Sequence, residues 1–214
     1  MNDDAAQREA VVQAVRRLDT LGLNRGSTGN ASVRHGAGML ITPTGMGAEV
    51  QAADLAWVGW DGAVQGPWRP SSEWHFHQAA YRARPDLHAV VHSHSTHAAA
   101  LACLRRPLPA FHYMVAVAGG DNVPLVPYFT FGTEALSQGV AAALADRDAC
   151  LLANHGLVAA GRDMAAAMKV LLEIEALCEV YLKALAVGEP AVLSAADMAE
   201  VLARFRGYGR ASST

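Results

Sequence analysis

Apolar residues recur three or four positions apart at Val11, Val12, Val15 and Leu18, the stripe of one helical face. Gly22 follows as a stop, so the pattern predicts a helix over residues 5–21. After a small-residue loop over 24–30 the apolar runs shorten to strand length at 31–34 and 39–42. A third run at 57–60 enters a hairpin turn at Asp61-Gly62. Helical spacing returns over 73–84, with Ser71 or Ser72 as the expected N-cap and Pro85 just past the end.

The valine-rich run 88–93 reads as a buried strand, and Ser95 opens a helix ending near 105. A short strand at 122–127 is flanked by prolines, and Thr133 caps a helix through 144. Runs 150–153 and 157–160 form a strand pair around Asn154-His155-Gly156. The longest helix, about 163–187, carries Val170, Leu171, Ile174, Leu177, Cys178, Tyr181 and Leu185 on one stripe. Ser194 caps a last helix to 206. Short strands among helices imply a layered α/β domain, and the missing one-for-one alternation argues against a purely parallel sheet. No internal repeat or low-complexity linker divides the chain, so one domain over 1–214 is expected.

Composition narrows the class. Apolar residues are 52% of the 214 and charged residues 17%, ample for a core. A net charge of −3 with scattered basic residues argues against a nucleic-acid partner. No apolar run reaches the roughly 18 residues of a membrane span. Asp3, Asp4 and Glu9 do not suit a signal peptide. The three cysteines, Cys103, Cys150 and Cys178, lack metal spacing and read as reduced packing residues, so a cytoplasmic location is expected.

Histidines supply the chemistry. On a strand His92 and His94, two apart, face the same side and can present both imidazoles to one ion. His155, in a tight turn between two strands, is the best candidate for a third ligand, and three nitrogens with an open position suit a catalytic divalent metal. His97 competes for that role but is turned away if Ser95 starts a helix. His75 and His77 suit solvated or supporting positions, His35 a surface turn, and His88 a backbone partner. Glu73, at a helix start, either steadies the dipole or serves as a releasable fourth ligand and base. The loops 26–30 and 42–45 and the pair Ser71-Ser72 offer hydroxyls and unhindered backbone N–H groups, the chemistry of a monophosphate pocket, although each alone is also an ordinary turn. No dinucleotide or Walker fingerprint is present.

Nine motifs occur in order: Ser27-Thr28-Gly29-Asn30-Ala31-Ser32-Val33-Arg34, Ile41-Thr42-Pro43-Thr44-Gly45, Ser71-Ser72-Glu73-Trp74, His92-Ser93-His94-Ser95, His112-Tyr113-Met114, Val126-Pro127-Tyr128, Phe131-Gly132-Thr133, Asn154-His155-Gly156-Leu157 and Phe205-Arg206-Gly207-Tyr208-Gly209. With these the chain resembles the class II aldolase/adducin family over nearly its whole length. The resemblance implies a three-layer α/β/α fold around a mixed, mostly antiparallel sheet, and a homotetramer with sites at subunit interfaces. It implies Zn2+, or another divalent metal such as Mn2+ or Co2+, on Glu73, His92, His94 and His155. A substrate phosphate would sit on Gly29, Asn30, Thr44, Gly45, Ser71 and Ser72. Tyr113 and Tyr208 would reach the site from the adjacent subunit.

The implied reaction is reversible aldol cleavage of a ketose 1-phosphate to dihydroxyacetone phosphate and a small aldehyde such as lactaldehyde, with Glu73 and Tyr113 moving protons. Family alternatives are a 5-deoxypentulose-1-phosphate aldolase, a sugar-phosphate 4-epimerase, a dehydratase and a non-catalytic adducin-like binding module. The epimerase branch has aspartate where Tyr113 stands, and a binding module has no reason to keep the ligand set. Two departures from the family pattern are Asp121 in place of an amide and the tail 210–214.

Overall fold

The computed structural model describes residues 3–205. Helix α1 (Asp3–Thr20) buries Val11, Val12, Val15 and Leu18, and closes where the amides of Gly22 and Leu23 turn back onto Asp19 and Leu18 carbonyls. The chain continues through β1 (Asn30–His35), β2 (Gly38–Ile41), β3 (Ala56–Gly59) and β4 (Val64–Gln65) to α2 (Trp74–Ala83). Next come β5 (Ala89–Ser93), α3 (Thr96–Cys103), β6 (Leu125–Val126), α4 (Glu134–Ala143), β7 (Ala149–Leu152) and β8 (Gly156–Gly161). Helices α5 (Met164–Leu185) and α6 (Ala195–Phe205) follow, and short 3₁₀ segments lie at Ala52–Asp54 and Tyr113–Ala118.

One sheet runs in the order β4-β3-β2-β1-β5-β8-β7-β6. Every neighbouring pair is antiparallel except β6 and β7. The expected mixed, mostly antiparallel sheet is therefore present.

Side chains of the central strands alternate between two cores. Ala89 and Val91 of β5, with Leu157 and Ala159 of β8, pack beneath α1, α3 and α5. Val90, Val158 and Ala160 pack on the opposite face with Phe76 and Tyr81 of α2 and Leu136 and Val140 of α4. Both faces are covered, so these strands read in sequence as unbroken apolar runs instead of alternating ones. The result is three layers, α/β/α.

Local signals place most boundaries within a residue or two. The Thr133 hydroxyl accepts from the Leu136 amide at the start of α4, and Asp163 caps α5. The expected cap of α2 is corrected. Its N-cap is Glu73, not Ser71 or Ser72, and no side chain caps it. The Ser71 hydroxyl instead accepts from the Glu73 amide, while the Glu73 side chain turns toward the histidines. The 3₁₀ segment at Tyr113–Ala118 has no periodic signal; it is held by His112, whose Nδ1 accepts from the Met114 amide. Cys150 and Cys178 are buried as expected, but Cys103 is exposed at the end of α3.

Candidate active site

Register brings the site together. Asn30 of β1 lies opposite His92 of β5, and on the other side of β5 His92 pairs with Val158 and Ser93 with Leu157 of β8. The β7–β8 turn therefore delivers His155 beside the end of β5. In that turn Asn154 holds φ +57, a left-handed conformation that asparagine tolerates better than most residues. A Cβ on Gly156 would lie 2.3 Å from the Ser93 carbonyl oxygen. Only glycine lets β8 approach β5 this closely.

The Nε2 atoms of His92 and His94 are 3.0 Å apart. Glu73 Oε2 lies 3.3 Å from His92 Nε2, and Oε1 lies 3.1 Å from His155 Nε2. The four ligand atoms fall within 4.8 Å of one another, the one such group of histidine, cysteine and acidic residues among the described residues. His94 stands just past the end of β5, yet the two-residue spacing still aims both rings inward.

Three observations fit this set to a metal. First, His92 Nδ1 is 2.9 Å from the Leu157 carbonyl, which can only accept, so Nδ1 carries the proton and Nε2 keeps its lone pair. Second, burial pushes His92 down to about 3, so its ring is neutral near pH 7. Third, Glu73 Oε1 is buried without a hydrogen-bond partner, a cost that a cation removes. Burial works against ionising Glu73, but His92, His155 and the Asn30 amide outweigh it and hold its carboxyl well below the usual range. Three imidazole nitrogens and one carboxylate oxygen suit zinc or a related divalent ion.

Beside this cluster opens a cavity of about 370 Å³, lined among others by Gly29, Asn30, Thr44, Gly45, Ser71, Ser72, Glu73, His94 and His155. All six positions expected to hold a phosphate thus border the expected metal ligands. One detail differs from the sequence reading. The Thr44 amide already donates to the Arg69 carbonyl and the Ser71 amide to that of Thr42, so these two residues offer the pocket hydroxyls, not N–H groups. At Gly29 (φ +74) a Cβ would strike the Asn24 side chain, whose Oδ1 accepts from the His94 amide. The glycine loop and the second histidine are therefore seated on one buried asparagine.

Tyr128, Phe129, Phe131 and Asn154 also line the cavity, and Tyr128 and Phe131 are exposed. The motifs of the two exposed aromatics carry no expected role in the sequence; their one signal is bulky apolar residues in a Pro- and Gly-flanked stretch with no core periodicity. Tyr113 is half exposed and borders a different groove, with Met114 and Leu202. Tyr208 lies outside the described residues. His97 turns from the cluster as expected, to Glu175 at 2.9 Å. His77 is a fully buried supporting residue. His35 is tied to Gln7 of α1 at 2.6 Å and is not a plain surface residue. Asp121 pairs with Arg147 at 2.9 Å.

The chain matches the class II aldolase and adducin N-terminal domain over residues 9–182. It is 48% identical over 205 residues to a 5-methylthioribulose-1-phosphate/5-deoxyribulose-1-phosphate aldolase of Rhodospirillum rubrum, covering 95% of this chain and 93% of that protein. It is 45% identical over 201 residues to an L-fuculose phosphate aldolase of Escherichia coli, covering 93% and 94%. A solved structure of an L-fuculose 1-phosphate aldolase superposes with a TM-score of 0.90 at 37% identity, covering 94% of this chain and 96% of that one. The chain belongs to the class II aldolase/adducin family. Within it the sequence groups with the family's enzymes, the metal-dependent aldolases, which are carbon–carbon lyases.

Proposed function

We propose that this protein cleaves a ketose 1-phosphate reversibly to dihydroxyacetone phosphate and a small aldehyde, as a cytoplasmic homotetramer. The observation that carries this reading is the adjacency of two chemistries. Glu73, His92, His94 and His155 converge within 4.8 Å, and a cavity of hydroxyl and glycine loops opens beside them. Those loops suit a phosphate dianion: the Ser71, Ser72 and Thr44 hydroxyls donate, and Gly29 and Gly45 leave room for close approach. The N-terminal end of α2, directly behind Ser71 and Ser72, adds a favourable dipole.

Zn2+, Mn2+ or Co2+ held by the four residues would act as a Lewis acid on the oxygens at C2 and C3. The protein's own groups move the protons. As the C3–C4 bond breaks, Tyr113 of the adjacent subunit takes the C4 hydroxyl proton and C4 leaves as the aldehyde. Tyr113 passes a proton through solvent to the Glu73 carboxylate, which delivers it to C3, where the bonding electron pair stays; in the synthetic direction the ionised Glu73 removes the C3 proton and solvent returns it to Tyr113. Tyr208, like Tyr113 a residue of the adjacent subunit in this reading, is assigned a catalytic role. The names of the two relatives support three substrates: an L-fuculose 1-phosphate-like ketose giving lactaldehyde, a 5-deoxypentulose 1-phosphate and a 5-methylthiopentulose 1-phosphate. The exposed Tyr128 and Phe131 at the cavity rim favour an aldehyde with an apolar end in each case.

The test supplies metal-loaded protein with all three ketose 1-phosphates and couples released dihydroxyacetone phosphate to a glycerol-phosphate dehydrogenase. Release from at least one, with stoichiometric divalent metal in the protein, is the expected result. Silence on every phosphate, with turnover of an unphosphorylated or acid substrate, overturns it, and a metal-free, silent protein points to a binding module.

A further inference from the structure

Beneath Glu73 a line of buried polar side chains runs from the sheet into α2. The Asn30 Nδ2 lies 2.9 Å from Glu73 Oε2, and the Asn30 Oδ1 lies 2.5 Å from His77 Nε2. His77 Nδ1 is 2.8 Å from Ser32 Oγ, which is 2.8 Å from the Tyr81 hydroxyl. Ser32, His77 and Tyr81 are 0–1% exposed and Asn30 4%.

The charge at one end settles every proton. An ionised carboxylate only accepts, so the Asn30 amide turns its N–H to Glu73 and its oxygen to His77. That oxygen only accepts, so His77 carries its proton on Nε2. Nδ1 then keeps the lone pair, Ser32 donates to it, and the Tyr81 hydroxyl donates to Ser32. All four hydrogen bonds follow from the carboxylate, and they span 43 to 49 residues of sequence.

We propose that His77 is a positioning residue for Glu73: its Nε2–H holds the Asn30 amide in the one orientation that presents N–H to Oε2, leaving Oε1 for the imidazole cluster. A flipped Asn30 would set its oxygen against the carboxylate and drive Glu73 off the site. The inference goes beyond the aldolase reading and rests on it only for the role of Glu73 in turnover. A merely structural link between β1 and α2 would be met by apolar packing, without five buried polar groups that each need a partner.

The test uses the full-length, zinc-loaded protein and reads zinc affinity by competition with a chelating dye, beside kcat, KM and melting temperature. His77→Leu is expected to weaken zinc binding 10- to 100-fold and to lower kcat by about the same factor with KM little changed. His77→Gln, whose amide offers a donor and an acceptor, recovers most of that loss. Ser32→Ala leaves the buried Nδ1 of His77 without its donor, loosens the hold of His77 on Asn30 and weakens zinc binding about three- to fivefold.

Zinc affinity and kcat within twofold of the parent in His77→Leu overturn the proposal, whatever happens to the melting temperature. Should His77→Leu not fold, Ser32→Ala decides: unchanged zinc affinity there overturns the proposal equally. The dye competition needs no substrate. A parent protein that is silent on every ketose phosphate therefore sinks the aldolase reading, and the zinc series still decides the role of His77.

Discussion

The proposed reaction would ask Glu73 to do two things that pull against each other. As a ligand it would neutralise a cation beside His92 and His155, and as a base it would release a lone pair for a proton at C3. Asn30 holds Oε2, while Oε1, buried without a hydrogen bond, faces His155, an arrangement that would let one carboxylate divide the work. Glu73→Gln keeps the shape and loses the charge. It is expected to retain zinc on the three histidines while kcat falls about 10²- to 10⁴-fold, the scale of a lost acid–base group. Near-normal turnover with metal bound would remove Glu73 from the chemistry. His155→Ala should fail differently, by lowering metal content itself, because two imidazoles and a carboxylate hold zinc less firmly than the full set. Elemental analysis separates the two variants: full metal in purified His155→Ala would cancel its assignment as a ligand.

Among the elements, the β5–β8 pair matters most. Its register alone sets the distance from His155 to His92 and His94, and Gly156 sets how closely the strands approach. In Gly156→Ala the new methyl meets backbone, not a yielding side chain, 2.3 Å from the Ser93 oxygen and 3.3 Å from His94 Cδ2. The expected cost is about 1–3 kcal/mol of stability in urea unfolding, with weaker zinc binding as β8 moves off. Gly188→Ala, where nothing lies within 4 Å, should stay within about 0.5 kcal/mol. Equal midpoints for the two variants would contradict the steric account. The α2 cap shows where local rules give way. Ser71-Ser72 is a good capping sequence, yet the helix begins one residue later with no side-chain cap. Those hydroxyls line the cavity, and Glu73 is drawn to the histidines.

At the scale of the whole molecule, the proposed tetramer would divide the site between chains. Glu73 and the three histidines come together within one chain, whereas Tyr113 sits half exposed in a separate groove. In a closed ring each interface is heterologous, so every metal-bearing chain would meet the Tyr113 of the next. Glu73→Gln and Tyr113→Phe should each be nearly inactive as pure tetramers. Co-expressed, they should form hybrids in which about a quarter of the sites pair an intact Glu73 with an intact Tyr113. Recovery of about a quarter of parental activity is expected, against none in a mixture made without subunit exchange. Confirmed hybrids that stay inactive would place both residues in one subunit or make Tyr113 structural.

By itself the sequence determined what short-range physics controls. Helical stripes gave α1 and α5, turn residues gave the Asp61-Gly62 and Asn154-His155-Gly156 turns, and the two-residue spacing aimed His92 and His94 the same way although His94 lies just past the strand. The order of its motifs also carried the family. Tertiary structure alone decided which distant segments meet. Nothing local to residues 30, 73, 77, 92 and 155 says that β1, α2, β5 and the β7–β8 turn converge, because strand order depends on long-range pairing that leaves no trace in a window of neighbours. The same holds for protons. His77 reads as a histidine on an amphipathic helix, and only its burial between Ser32 and Asn30 fixes its tautomer and ties it to Glu73. A hydrogen bond's direction depends on both partners, and here each partner lies more than 40 residues away.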